Sequence, residues 1–296
     1  MTTSPSPAPD LPWRPFALAA TALTLSFILP LWQLFQFARQ DELHSFILLM
    51  PLVSAYLVWV ERKNLPAISP PARAAAAAFS LAGGLALAGR WWAPAFALQL
   101  ASLSFVMLLT AAGCWWLGGR RMRALAYPFA LLLFLIPLPA FARDGIETGL
   151  QVGSAAVADA MFNLVGTPVL CDGTFFRLPG MSLRVAPECS GIHSTLVLFI
   201  TSLVAGKLFL RSPWKRAVLT LVVIPLALLR NGFRILVIGE LCVHVGPQMI
   251  DSPIHHQGGP LFFVLSLPPF FLLLYLLRKT DRAASLSRPG DGDKLK

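Results

Sequence analysis

Residues 217–245 read AVLTLVVIPLALLRNGFRILVIGELCVHV. A helix needs about 20 mostly apolar residues to cross the hydrocarbon core of a bilayer, and this run exceeds that. Pro225 predicts a kink, because it removes one backbone donor and crowds the preceding turn. Arg230, Asn231 and Arg234 lie inside the run. Ionisable groups at membrane depth are expensive, so they face protein or a water-filled cavity and mark function.

The same reading extends outward from this segment. Delimiting apolar runs by charged residues gives eight candidate spans: 15–38, 43–60, 74–89, 91–119, 124–142, 189–206, 217–245 and 258–277. The third is short and rich in Ala and Gly. Of the 296 residues 56% are hydrophobic and 13% charged, and mean hydropathy is +0.68, which excludes most soluble classes. The expected fold is an all-α polytopic membrane protein of about eight transmembrane helices. Residues 1–14 and 279–296 are expected as tails flanking one membrane domain over 15–278. The N-terminus has no cleavage-site pattern, so the first run reads as a retained span.

The net charge of +10 does not point to nucleic acid, because the Lys and Arg residues sit in short connectors between spans. There they set orientation. Arg62, Lys63, Arg73, Arg120, Arg121, Arg123, Lys207, Arg211, Lys215 and Arg216 share one side with Arg278 and Lys279. That side is read as cytoplasmic, with both termini on it, in an inner (cytoplasmic) membrane. Residues 143–188 and the connector 247–257 then lie outside. Within the outer section, 144–166 reads as an amphipathic helix, and 167–186 as a short hairpin punctuated by Gly173 and Gly180.

Three features share this outer side: Pro187-Glu188-Cys189-Ser190-Gly191 at the start of the sixth span, Asn231-Gly232-Phe233-Arg234 in the seventh, and His255-His256 before the eighth. Arg234 lies eighteen residues after Arg216, about 27 Å along a helix at 1.5 Å per residue, which puts it near the outer boundary. A cysteine opening a helix is favoured as a nucleophile, since the helix N-terminus and a nearby cation both stabilise the thiolate. A positioned histidine then serves as acid and base. His193, four residues after Cys189, competes with His255 and His256 for that role. Arg230 sits one turn from Arg234 and reads as supporting. The plainer readings stand beside these: Cys as a small buried hydrophobe, Arg234 reaching lipid headgroups, and the histidines as solvated loop residues. Cys114, Cys171, Cys189 and Cys242 match no zinc or disulfide pattern, and no H-E-x-x-H spacing supports a metal site.

These residues resemble the exosortases and archaeosortases, multi-spanning enzymes that process proteins carrying a C-terminal sorting signal. The resemblance rests on Glu188-Cys189-Ser190-Gly191 opening a span, on Asn231-x-x-Arg234 about forty residues later, and on a histidine about twenty residues beyond that. It covers residues 173–277. It implies Cys189 as nucleophile, completed by Arg234 and His255, the latter because Gly259 follows it by four residues as the family's glycine does, a register that His256 does not fit. His193 stands where many exosortases have Arg, a departure that bears on the signal recognised. The resemblance also implies a membrane-tethered exported substrate with a signal of the Pro-Glu-Pro kind, a thioester on Cys189, and an amine-bearing acceptor or water to resolve it. No cofactor is implied.

Two other classes compete. A transporter or channel would use Arg230, Arg234 and Glu240 as a charge pathway, although no repeat relates the two halves. A non-enzymatic scaffold for envelope polysaccharide assembly would leave Cys189 dispensable.

Overall fold

Proline and charge decide where this apolar sequence is divided into helices. A computed structural model describes residues 13–179, 181–185, 190–252 and 258–286. The described residues are 82% helical, and the protein is an all-α polytopic membrane protein. Among the described residues five helical stretches are long and apolar enough to cross a membrane: Glu42–Asn64, Pro94–Trp116, Ile192–Phe209, Pro213–His244 and Gly259–Asp281. The number rises to seven if each of two bent helix pairs is one span, against an expectation of about eight. The difference falls on α4 (Arg73–Trp92). Arg73 and Arg90 bracket its apolar stretch, 74–89, which reaches only about 24 Å at 1.5 Å per residue.

The first expected span is α1 (Trp13–Ser26) and α2 (Ile28–Gln40), bent by 72° at Phe27. Pro30 has no N–H to offer the Ser26 carbonyl and its ring crowds that group, so the ladder breaks one turn before the proline. The second span is a 3-10 turn continued by α3 (Met50–Glu61), and the fourth is α5 (Ala97–Trp116). The fifth expected span, 124–142, is not one helix. The short helices α6 (Gly119–Ala124) and α7 (Ala126–Leu131) run into a 3-10 turn that ends at Leu135. Helix α8 (Ala140–Val165) then begins afresh. Pro137 and Pro139 enforce the gap, and Ile136, directly before Pro137, is extended at φ −82°, ψ 116°, as the proline Cδ demands. The segment expected as an amphipathic helix over 144–166 is thus the greater part of a longer helix that includes Arg143.

The chain divides into two compact units, Met1–Ala140 and Phe141–Lys296. In the first, α4 and α5 pack so closely that a Cβ on Gly83 would stand 2.8 Å from Leu108 Cγ. Buried His44 pairs with Asp41 at 3.0 Å and accepts from the Leu138 N–H at 3.1 Å.

The second unit carries the predicted site. After α8 come β1 (Leu170–Asp172), β2 (Phe175–Leu178) and β3 (Met181–Arg184), an antiparallel sheet in the order β1-β2-β3. The expected hairpin region therefore holds three strands. Helices α9 (Ile192–Phe209), α10 (Pro213–Leu221), α11 (Val223–His244) and α12 (Gly259–Leu286) follow. The predicted kink in the 217–245 run falls at Val222 between α10 and α11, where the ring of Pro225 meets the Leu221 carbonyl. The bend is mild enough that 213–244 remains one span.

Two cores hold this unit. One packs Ala155, Ala158 and Phe162 of α8 against Phe176, Leu178 and Leu183 of the sheet and against Ile235, Ile238 and Cys242 of α11. The close approach of α8 to α11 needs glycine: a Cβ on Gly232 would meet Val157 at 2.6 Å. The other core joins Leu198 and Ala205 of α9, Leu219 of α10, Val223 of α11, and Phe270 and Leu274 of α12. A buried polar clasp closes the end of α12. Asp281 accepts from the Arg211 and Ser212 backbone N–H groups at 2.6 and 3.3 Å, from Ser212 Oγ at 2.5 Å, and from Lys215 Nζ at 3.2 Å.

Candidate functional site

Helix α9 starts from Gly191, whose φ of +70° and ψ of 20° put it in the left-handed region that favours residues without a Cβ. A side chain is excluded there for a second reason. A Cβ on Gly191 would stand 2.8 Å from Arg230 Nη2 and 3.4 Å from Asn231 Oδ1. Two polar residues of the seventh expected span are thus packed against the residue that opens the sixth.

The Gly191 carbonyl gathers donors. It accepts from the Thr195 backbone N–H at 3.0 Å, Thr195 Oγ1 at 2.8 Å, Ser194 Oγ at 3.0 Å, and Arg230 Nη2 at 3.3 Å. Arg230 Nη2 also lies 3.5 Å from Thr195 Oγ1. Arg230 is only 7% exposed, Asn231 and Ser190 2%. Burying a guanidinium is costly unless hydrogen bonds replace its water, and here the start of α9 supplies part of them. Arg230 Nη1 and Ser190 Oγ have no hydrogen-bond partner among the described residues. Both are buried beside Gly191, so donor capacity remains next to the segment that enters α9.

Arg234, half-buried, lies one turn further along α11 on the same side as Arg230, about 6 Å away at the Cβ level. His193 is half-buried in the first turn of α9. Glu188, Cys189, His255 and His256 lie outside the described residues. The approach to Glu188 and Cys189 is visible on its other side, where Gln151 of α8 donates through Nε2 to the Val185 carbonyl just after β3. The structure therefore brings Arg230 and Asn231 together with Gly191, and fastens the chain both at Val185 and at Gly191. Gln151 and Thr195 escape sequence reasoning, since neither stands in a motif and only the fold gives them partners.

The other chemistry-bearing residues have separate partners. Glu240, which an intramembrane charge path would use, accepts from Thr167 Oγ1 at 2.5 Å and pairs with His244 Nε2 at 3.0 Å. Among the described residues no three His, Cys, Asp or Glu side chains are grouped to hold a metal. Cys114 and Cys242 are buried. Burial, and then the Asp159 and Asp172 carboxylates, push the Cys171 thiol up from its ordinary value, which makes it a poor nucleophile at neutral pH.

A sheet-bearing helical unit in which a buried arginine of one span fastens the start of another, with a buried asparagine packed beside it, defines a multi-pass membrane protein with a polar centre built between helices. The particular kind follows from comparison with known families. The family model for the transmembrane exosortase (Exosortase_EpsH) matches residues 32–272, and the chain belongs to that family. Exosortases, as a family, are membrane enzymes that process sorting signals on exported proteins. No curated protein and no solved structure matches the chain.

Proposed function

We propose that the protein is a membrane cysteine protease or transpeptidase that cleaves a C-terminal sorting signal, of the Pro-Glu-Pro kind, from membrane-tethered exported proteins. The observation that carries this reading is the fastening of Gly191 by Arg230, with Asn231 packed beside it, because Gly191 is two residues from Cys189. A nucleophile must be held within a fraction of an ångström of its productive position. The described chain on either side of Cys189 is held at Val185 by Gln151 and at Gly191 by Arg230.

The Cys189 thiolate attacks the scissile carbonyl carbon, with Arg234 stabilising first the thiolate and then the developing oxyanion. The C–N bond breaks as His255, in its imidazolium form, gives its proton to the departing amine. The released C-terminal helix stays in the bilayer, and the rest of the substrate is held as a thioester on Cys189. An amine-bearing acceptor, or water, attacks the thioester, loses a proton to His255, and expels the thiolate. An acceptor on a polysaccharide or glycolipid precursor links the reaction to envelope assembly. No cofactor takes part.

The site faces away from the cytoplasm in an inner-membrane protein with both termini cytoplasmic. That orientation follows from the positive connectors, and from counting α4 as a short span beside the seven others.

Expressed at equal membrane abundance, Cys189→Ala leaves the substrate's C-terminal anchor attached, read as the full-length form on an immunoblot. Full processing by this variant would falsify the enzyme reading. Labelling of Cys189 by a membrane-impermeant thiol reagent on intact cells, or on spheroplasts where an outer membrane intervenes, checks the orientation; labelling only after lysis overturns it.

A further inference from the structure

We infer that the outer edge of β3 binds an extended, acidic segment of the substrate by strand addition. This rests on the protease reading above and names a subsite for it. Strand β3 pairs with β2 through Phe175↔Arg184, Phe176↔Leu183, Arg177↔Ser182 and Leu178↔Met181, and the Val185 N–H continues the ladder to the Thr174 carbonyl at 2.9 Å. In an antiparallel pair the bonded positions alternate. Val185, Leu183 and Met181 therefore bond to β2, while the N–H and C=O of Ser182 and Arg184 point the other way. Among the described residues, the sheet order β1-β2-β3 leaves this side of β3 without a strand.

Unpaired edges template pairing with another extended chain, and proteins normally blunt them. This one is the kind of edge that captures peptides through main-chain hydrogen bonds. The inner face of the sheet is taken, with Phe176 and Leu183 buried against α8 and α11. The outer face is exposed at Phe175, Arg177, Ser182 and Arg184. Arg184 stacks its guanidinium 5.2 Å from the centre of the Phe175 ring, and Arg177 lies diagonally across the β2–β3 pair from it. Asp172, opposite Phe175 on β1, is the acidic group of this face and sits on the far strand, so the edge-side surface is positive. Charge complementarity therefore selects an acidic peptide. Arg184 is five residues from Cys189, a reach of at most about 18 Å, so a substrate strand of a few residues can span from this edge to the nucleophile.

The test is peptide binding to the full-length Cys189→Ala protein in phosphatidylcholine nanodiscs, which separates docking from turnover. The probes are a fluorescent peptide of alternating Thr and Glu, its Thr–Lys counterpart, and the Thr–Glu peptide N-methylated at alternate residues. The acidic peptide binds about tenfold more tightly than the basic one, and Arg177→Gln with Arg184→Gln removes most of that difference. Ser182→Pro deletes an outward N–H at a position where an edge strand tolerates proline, and weakens binding with both arginines kept. The methylated peptide, which leaves the protein unaltered, fails to bind. Equal binding of the methylated peptide, or no acidic preference, overturns strand addition. It is also overturned if the arginine substitutions change only association with phosphatidylglycerol vesicles, because the pair then serves lipid headgroups. Each of these results leaves the Cys189 cleavage assay unaffected, so loss of the docking edge and loss of the protease reading are told apart.

Discussion

Arg230 Nη2 donates to the Gly191 carbonyl across 3.3 Å, in a contact so close that a methyl group on Gly191 would sit 2.8 Å from the same nitrogen. The pair couples two helices at the residue from which α9 begins. Gly191→Ala must meet two penalties, a left-handed backbone that costs a residue with a Cβ about 1 kcal/mol or more and displacement of a buried guanidinium. The expected outcome is processing reduced by at least about tenfold with a lowered thermal midpoint. Arg230→Lys at equal abundance is also impaired, since an ammonium cannot reproduce the planar donor array. Unchanged cleavage by both variants, followed on immunoblots, would remove this contact from the site.

Arg234 is proposed as the working cation, and its substitutions separate a fixed donor from an anchor to headgroups. Loss of a preorganised oxyanion donor costs about 100-fold to 1000-fold in rate, so Arg234→Ala nearly silences processing. Arg234→Lys keeps charge without the fork and stays badly impaired. Near-normal cleavage by the Lys variant assigns Arg234 to lipid contact instead.

Three histidines compete for the proton-transfer role. His255→Ala is expected to lower processing by about 100-fold or more, the scale of general acid–base catalysis, while His256→Ala is mild. If His193→Ala proves to be the severe change and His255→Ala the mild one, the base belongs on the first turn of α9. Parallel pulse-chase measurements on the three variants decide it.

Asp281 and Lys215 are 7% and 5% exposed, and the aspartate also caps the Arg211 and Ser212 backbone groups. Removing one partner of a buried ion pair leaves an uncompensated charge, at about 3 to 5 kcal/mol. Asp281→Asn is thus expected to lower the thermal midpoint in detergent by several degrees or more. It should not alter relative rates among substrates in the protein that remains folded. A midpoint within error of wild type would show that the clasp does not hold the α9–α10 connection.

Hydropathy fixed the membrane class and most span positions, because apolar run length is a local property. It also singled out Arg230, Asn231 and Arg234, since polar groups stand out against an apolar helix. The sorting of the two arginines was less legible. Nothing local to 217–245 says which arginine reaches another helix, and the partner of Arg230 is a backbone carbonyl 39 residues away. The break at 136–139 was written in Pro137 and Pro139 but is masked by apolar neighbours when charge alone delimits spans.

The sequence by itself determined that this chain lives in a bilayer, that its connectors are asymmetric in charge, and that its polar residues concentrate in a few short motifs. Each of these follows from residue type and spacing along a single segment. Only the tertiary structure decided that Gly191 is clasped by Arg230, that Gln151 holds Val185, and that Asp281 closes on Lys215. The physical reason is the same in every case. Burying a polar group requires a partner, and in this protein the partners come from distant parts of the chain that only packing brings together.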